Sequence, residues 1–211
     1  MRSLVILAGG KSSRMGRDKV LLKLNGMTFI ERIFTNALIC FDRIIISTDS
    51  DEHKDTIMKL AAFAPENIPA GKCVCFVTDS YDAVGPLGGI LSVFEKSDVE
   101  RFSIVSVDVP FASMEVLEAL YDRCEKKAVF LKIGEKKPEP LIAAYDRSAL
   151  PDIKRAVEKG LLKIRAALPK EDIDIISSEY IESLPETKGM DCAWSFRNFN
   201  TPEEFSEIES K

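Results

Sequence analysis

A three-layer α/β/α sandwich around a Rossmann-like, mostly parallel sheet is the fold class this 211-residue sequence predicts. Short apolar runs that read as buried strands recur along the chain, and helical stretches separate them. The runs are Leu4 to Leu7, Ile44 to Ser47, Val74 to Val77, Ile104 to Val107, Ala128 to Ile133 and Leu141 to Tyr145. With 45% hydrophobic residues the chain is large enough to fill one core and short for two full-sized domains, so a single domain over residues 1–211 is expected.

The strongest helical interval is Met27 to Ile39. There Phe29, Ile30, Ile33, Phe34, Ala37 and Leu38 recur at three- and four-residue steps, the period of an amphipathic helix. Weaker forms of the pattern cover Asp51 to Ala62, Gly89 to Ser97, Ser113 to Cys124 and Ser148 to Val157. A last helix is expected from Thr201 as cap, with Pro202 at its first position. Residues 184 to 191 read as a polar surface loop.

A net charge of -5 repels polyanions overall, so nucleic acid is not an expected partner and an anionic substrate has to be met by local basic groups. Cys40, Cys73, Cys75, Cys124 and Cys192 show no paired spacing, which suits free thiols in a reducing cytosol better than a disulfide framework. A structural zinc is not expected, since Cys73 and Cys75 share a strand face with no second pair beside them. The apolar run LVILA in the opening MRSLVILAGG ends in a glycine-rich polar stretch, unlike a signal peptide. Nothing approaches the roughly 20 apolar residues of a membrane span. A cytoplasmic protein is the expectation.

Ligands of open α/β sheets collect outside the carboxyl ends of the strands, so the residues that follow each strand carry the chemistry. After the first run comes AGGKSSRMGRDK, Ala8 to Lys19. Gly9, Gly10 and Gly16 permit turns and close approach, which lets successive N–H groups face phosphate oxygens. Lys11, Arg14, Arg17 and Lys19 concentrate positive charge in the same segment of an acidic chain. Phosphate is the natural guest. Gly10-Lys11-Ser12 looks like the end of a P-loop, yet the position where that motif needs its first glycine is Val5. For the glycine pair alone, a flexible basic surface loop is the plainer reading.

The string LAGGKSSRMGRDK resembles the signature of the molybdenum cofactor guanylyltransferases, the MobA branch of the nucleotidyltransferase superfamily. The resemblance runs from Leu7 to Glu204 and is strongest in the first loop, in Gly85-Pro86-Leu87-Gly88-Gly89, in Asp108-Val109-Pro110 and in NFNTPEE from Asn198. It implies a fold of the nucleotide-diphospho-sugar transferase type. It also implies transfer of GMP from Mg-GTP to Mo-molybdopterin, giving molybdopterin guanine dinucleotide and pyrophosphate. Asp18 directly precedes Lys19, where sugar-phosphate relatives place a longer spacer and usually a proline. Gly9 stands where the cytidylyltransferase for the same pterin typically has alanine, which favours guanine.

By this resemblance the backbone of Leu7, Ala8 and Gly9 lies against the purine with Gly10 in the same turn. Arg14 and Lys19 would then hold the triphosphate and offset charge on the departing pyrophosphate. Phosphoryl chemistry agrees, because transfer at an α-phosphorus needs positioning and charge neutralisation more than a protein nucleophile.

Asp108 stands at the carboxyl end of its strand, with Pro110 stopping further extension. It reads either as a turn or cap aspartate or as a ligand for a hard cation. The resemblance to the family's Asp-x-Pro segment makes it the Mg2+ ligand. Asp79, in FVTDS, reads either as an Asx-turn residue or, by resemblance, as a group near the guanine or ribose, with Gly85, Pro86, Leu87 and Gly88 packing backbone against the nucleoside. Where the family commonly has asparagine after its second strand, this chain has IIISTDS, so Ser47, Thr48 or Asp49 would supply that contact.

On the acceptor side the family often has histidine where this chain has Glu139. Lys163 and Arg165 resemble the family's basic segment and read either as contacts for the pterin phosphate or as solvated cations. Asn198 and Asn200 face the acceptor by resemblance; as structure alone, Asn200 and Thr201 form a turn and helix cap. His53 is placed on a charged helix away from these loops. Enzymes that make or receive the cofactor are the expected transient partners, since a labile pterin is better handed over than released. Two other readings share the fold: a transferase for CTP or a sugar or alditol phosphate, and a nucleotide sensor without turnover.

Overall fold

In the computed structural model, residues 1–9, 19–81 and 84–199 are described. Their strands are β1 (Ser3–Leu7), β2 (Lys23–Leu24), β3 (Met27–Thr28), β4 (Arg43–Thr48), β5 (Cys73–Thr78), β6 (Arg101–Ser106), β7 (Ala128–Lys132), β8 (Glu139–Asp146) and β9 (Ile173–Ser177). The helices are α1 (Phe29–Cys40), α2 (Asp51–Met58), α3 (Pro86–Lys96), α4 (Met114–Asp122), α5 (Leu150–Glu158), α6 (Ile164–Ala167), α7 (Ser178–Ser183) and α8 (Cys192–Ser195).

Seven of the strands form one sheet in the order β5-β4-β1-β6-β8-β7-β9. β8 runs antiparallel to both of its neighbours, and the other pairings are parallel. The expected mostly parallel sheet is therefore present. Every residue of β1 is buried, as a central strand covered on both faces requires. Leu4, Ile6, Ile44, Ile46 and Val105 point into a core shared with α1 and α4. Val5, Ile45, Ile104 and Phe130 point into a second core with α3 and α5. Two cores on opposite faces of one sheet make the three layers.

The expected helix from Met27 begins at Phe29 instead. Met27 and Thr28 pair with β2 across Asn25 and Gly26, both at positive φ, which is the Asn-Gly hairpin turn. Thr28 then caps α1: its hydroxyl accepts from the Glu31 N–H at 3.3 Å while its own N–H donates to the Glu31 carboxylate at 3.0 Å. Other boundaries shift for similar reasons. The helix expected from Gly89 starts at Pro86, which needs no N–H there, and the one expected from Ser148 starts at Leu150 after a 3₁₀ turn. The Asp51 to Ala62 interval breaks after Met58 and resumes as a 3₁₀ turn over Ala61–Phe63. The loop expected over 184 to 191 contains the 3₁₀ turn Pro185–Thr187, and Thr187 is buried with its hydroxyl donating to the Ile181 carbonyl. β9 has no counterpart among the expected strands. The helix expected from Thr201 lies outside the described residues.

Candidate active site

The chain leaves β1 through α1 to reach β4 on one side, and arrives at β6 on the other side from β5 through α3. The carboxyl ends of β1 and β6 are thus the switch point where a doubly wound sheet opens a crevice. Backbone pairing continues past the strands at this edge. Val107 N donates to Leu7 O at 3.1 Å, Ala8 N and Gly9 N donate to Ser47 O at 2.8 and 3.1 Å, and Asp79 N donates to Thr48 O at 2.8 Å. Leu7, Ala8, Gly9 and Asp79 are brought to one rim by these bonds, and Asp108 follows Val107 at the same edge.

The start of α3 closes one side of the rim. Gly85 adopts φ 69°, ψ -151°, a conformation that side chains resist, and its carbonyl accepts from Gly88 N at 2.9 Å. Leu87 is fully buried and anchors the turn. A Cβ on Gly88 would stand 2.9 Å from Asp79 Oδ2, and one on Gly89 would stand 3.0 Å from Leu7 Cδ2 and 3.1 Å from Ser47 Oγ. Gly9 is equally confined, with Asp49 N 3.0 Å from where its Cβ would be. No acidic side chain occupies the first turn of α3, so its positive end faces the rim unopposed by its own residues.

The two aspartates differ. Asp79 Oδ1 accepts from Tyr81 N at 2.9 Å and from Ser92 Oγ at 2.8 Å, the geometry of an Asx-turn tied to a buried serine of α3. Tyr81 is fixed in turn by donating to Glu95 at 2.6 Å, a bond that pushes its phenol up to about 12. Asp108 is half-buried two residues beyond β6, and among the described residues no hydrogen bond or ion pair engages its carboxylate. Its carbonyl accepts from Phe199 N at 2.9 Å, which draws Asn198, exposed, beside it.

Lys19 opens a 3₁₀ turn over Lys19–Leu21 that is pinned by buried Val20 and by Leu22 N donating to Lys19 O at 3.2 Å. His53 is closer to the rim than expected. Its Nδ1 lies 3.0 Å from Asp49 Oδ1, and Asp49 is the residue packed against Gly9. Ser47 and Thr48 are buried, and among the described residues the Thr48 hydroxyl has no hydrogen-bond partner. Gly10, Arg14 and Asn200 lie outside the described residues.

Glu139 and Arg165 are brought together, with the guanidinium donating to Pro138 O at 2.7 Å and to Glu139 Oε1 at 3.4 Å. Lys163 is an exposed residue at the start of α6. Sequence reasoning missed Ser92 and Tyr81, which hold Asp79, and a ring cluster of Phe111, Trp194 and Phe199. A buried serine or a surface tryptophan carries no local signature; these residues matter through contacts distant in sequence.

The family model described as "MobA-like NTP transferase domain" matches residues 4–173. A probable molybdenum cofactor guanylyltransferase of Flavobacterium johnsoniae is 31% identical over 96% of this chain and 94% of its own. One of Methanosarcina mazei is 29% identical over 98% of this chain and 89% of its own. Among solved structures, molybdopterin-guanine dinucleotide biosynthesis protein A of Archaeoglobus fulgidus superposes with a TM-score of 0.76 at 24% identity, covering 99% of this chain and 97% of that one. Glycine rim, sheet order and family match agree, and the chain belongs to the MobA-like NTP transferase domain family.

Proposed function

We propose that this chain, as one nucleotidyltransferase domain over residues 1–211, transfers GMP from GTP to Mo-molybdopterin and releases pyrophosphate. The observation that carries the reading is the rim itself: Gly9, Gly88 and Gly89 let the ends of β1 and β4 and the turn at Asp79 pack close against one another and the start of α3, beside Asp108, whose carboxylate no described residue engages. The curated names of relatives near 30% identity over almost the full length supply the acceptor. No helix among the described residues is long and apolar enough to cross a membrane, and a cytoplasmic location is part of the same proposal.

In this reading Leu7, Ala8, Gly9 and Gly10 face the guanine, with Gly85, Pro86, Leu87 and Gly88 across from them. Asp79 keeps one oxygen in its turn and offers Oδ2 towards the base side of α3. Arg14 and Lys19 bind the triphosphate and stabilise charge on the leaving pyrophosphate. The terminal phosphate of the acceptor attacks the α-phosphorus in line, and Asn198 and Asn200 orient the pterin.

A half-buried carboxylate with uncommitted lone pairs fits magnesium, which takes one or two protein carboxylates and keeps several waters. Asp108 would hold the ion, and neutralisation of phosphate charge is the chemistry magnesium supplies when bound.

The test is pyrophosphate release across a panel of nucleoside triphosphates, with and without molybdopterin. Release with GTP that depends on molybdopterin is expected. Dependence on CTP or on a sugar phosphate would replace the reading with another transferase, and GTP binding without turnover would favour a sensor.

A further inference from the structure

The ring cluster on the α1 and α4 side has no role in the reading above. Trp194, the chain's single tryptophan, is 43% exposed although it sits on a tightly held turn. Its backbone N–H donates to Asp191 Oδ1 at 2.9 Å, and the backbone N–H of buried Cys192 donates to Glu182 at 2.8 Å, so α8 is fixed at its start. The indole packs on Phe111 at 5.8 Å with the rings 30° apart. Phe111 also meets the Arg32 guanidinium at 5.4 Å and the edge of Phe199 at 5.7 Å, and Arg32 donates to Leu24 O at 3.2 Å.

Cys192, Ser195 and Phe196 already fill the inward side of α8, so core packing does not require an indole at Trp194. Its ring is left part-exposed at a position held by hydrogen bonds and backed by Phe111, so one face is offered to solvent without a rearrangement of the turn. The cluster is continuous with the rim, because Phe199, edge-on to Phe111, donates its N–H to the Asp108 carbonyl.

Position in the layers identifies the occupant. Leu7, Leu87 and Ile90 belong to the core on the α3 face, whereas Phe199 belongs to the core on the α1 face and Phe111 packs against it. The start of α3 and the Phe111–Trp194 ring pair therefore lie in opposite layers at the β1 and β6 ends, and Asp108 is joined to the ring side through the Phe199 N–H. An enzyme that joins two flat heterocycles through a pyrophosphate needs that layout.

Resting on the proposed guanylyl transfer, we propose that Trp194, buttressed by Phe111, is the stacking floor for the fused heteroaromatic ring of the acceptor. The open indole face offers a flat apolar surface to the planar aminopyrimidinone part of the pterin, and the guanine stays on the glycine side.

Because the chain has one indole, its emission reports the stack directly. Titrating molybdopterin into the full chain should quench that emission saturably, and GTP alone should not. In equilibrium dialysis Trp194→Ala should bind molybdopterin on the order of tenfold more weakly with unchanged GTP binding, the scale of a lost ring stack. Trp194→Phe should recover most of the affinity. Molybdopterin binding without quenching, or equal binding by Trp194→Ala, would overturn the stacking site. Quenching by a chain that transfers no GMP would overturn the transferase reading and leave the stack standing; absence of molybdopterin binding would overturn both.

Discussion

Where α3 meets the sheet, Gly9, Gly88 and Gly89 keep side chains away from the rim, whereas on the α1 and α4 side Phe111, Trp194 and Phe199 crowd the neighbouring level with rings. The first wall is close-packed on Asp49, Asp79, Leu7 and Ser47, so it is intolerant of added atoms. The second offers ring faces, so it is sensitive to atoms removed. On the proposed function, specificity at the first is a matter of space, and at the second of surface.

The largest effects belong to the seam between the walls. Lys19→Ala and Asp108→Ala should each lower kcat/KM by about 10²-fold or more, as loss of charge stabilisation does, while circular dichroism and melting temperature stay near wild type. Wild-type rates from either variant would remove the seam from the chemistry and leave the two walls without a common purpose.

Adding atoms to the glycine wall comes next. Gly88→Val places carbon against the Asp79 carboxylate and Tyr81, and overpacking of this kind costs about 1–3 kcal/mol. A raised KM for GTP with an unchanged KM for the acceptor, together with a lower melting temperature, is expected from paired initial-rate and calorimetric measurements. A rise in the acceptor KM instead would exchange the roles of the two walls.

Tyr81→Phe removes the bond to Glu95 that steadies the Asp79 turn and should cost about 1 kcal/mol or less, in line with hydrogen bonds near the surface. The Tyr81 hydroxyl, and after it Lys154, holds the Glu95 carboxyl below its ordinary value of 4.5. A depressed folded-state value means that this stability is present above about pH 4.5 and is lost as pH falls through the folded value. Denaturant curves of wild type and Tyr81→Phe should therefore differ near neutrality and converge in acid.

Glu139→Gln should do least. Arg165 keeps its 2.7 Å bond to Pro138 O, and an exposed ion pair contributes about 0–1 kcal/mol, so acceptor KM should move by no more than about threefold. A tenfold change would make Glu139 part of the acceptor wall.

Much of this was legible in the residues. Six buried strands announced themselves as apolar runs, and Gly9, Asp79 and Asp108 follow the carboxyl ends of three of them. What escaped depended on partners. β9 reads IDIIS and pairs with β7 alone at the edge of the sheet, so half of its apolar signal is replaced by a solvated side. The Asn25-Gly26 hairpin was hidden because Met27 and Thr28 extend the apolar period of α1 backwards, although Thr28 is its cap. His53, expected far from the loops, reaches the rim through Asp49, because α2 folds back over the end of β4. The stack of Phe111 on Trp194 joins residues more than eighty positions apart, beyond the reach of any local pattern.

The account turns on where the guanine lies, and a structure determined with GTP and magnesium addresses that directly. The base should rest against the backbone of Leu7 to Gly9 and of Gly85 to Gly89, with the triphosphate directed towards Lys19 and Asp108. Guanine lodged against Trp194, or a nucleotide bound anywhere away from the ends of β1 and β6, would contradict it.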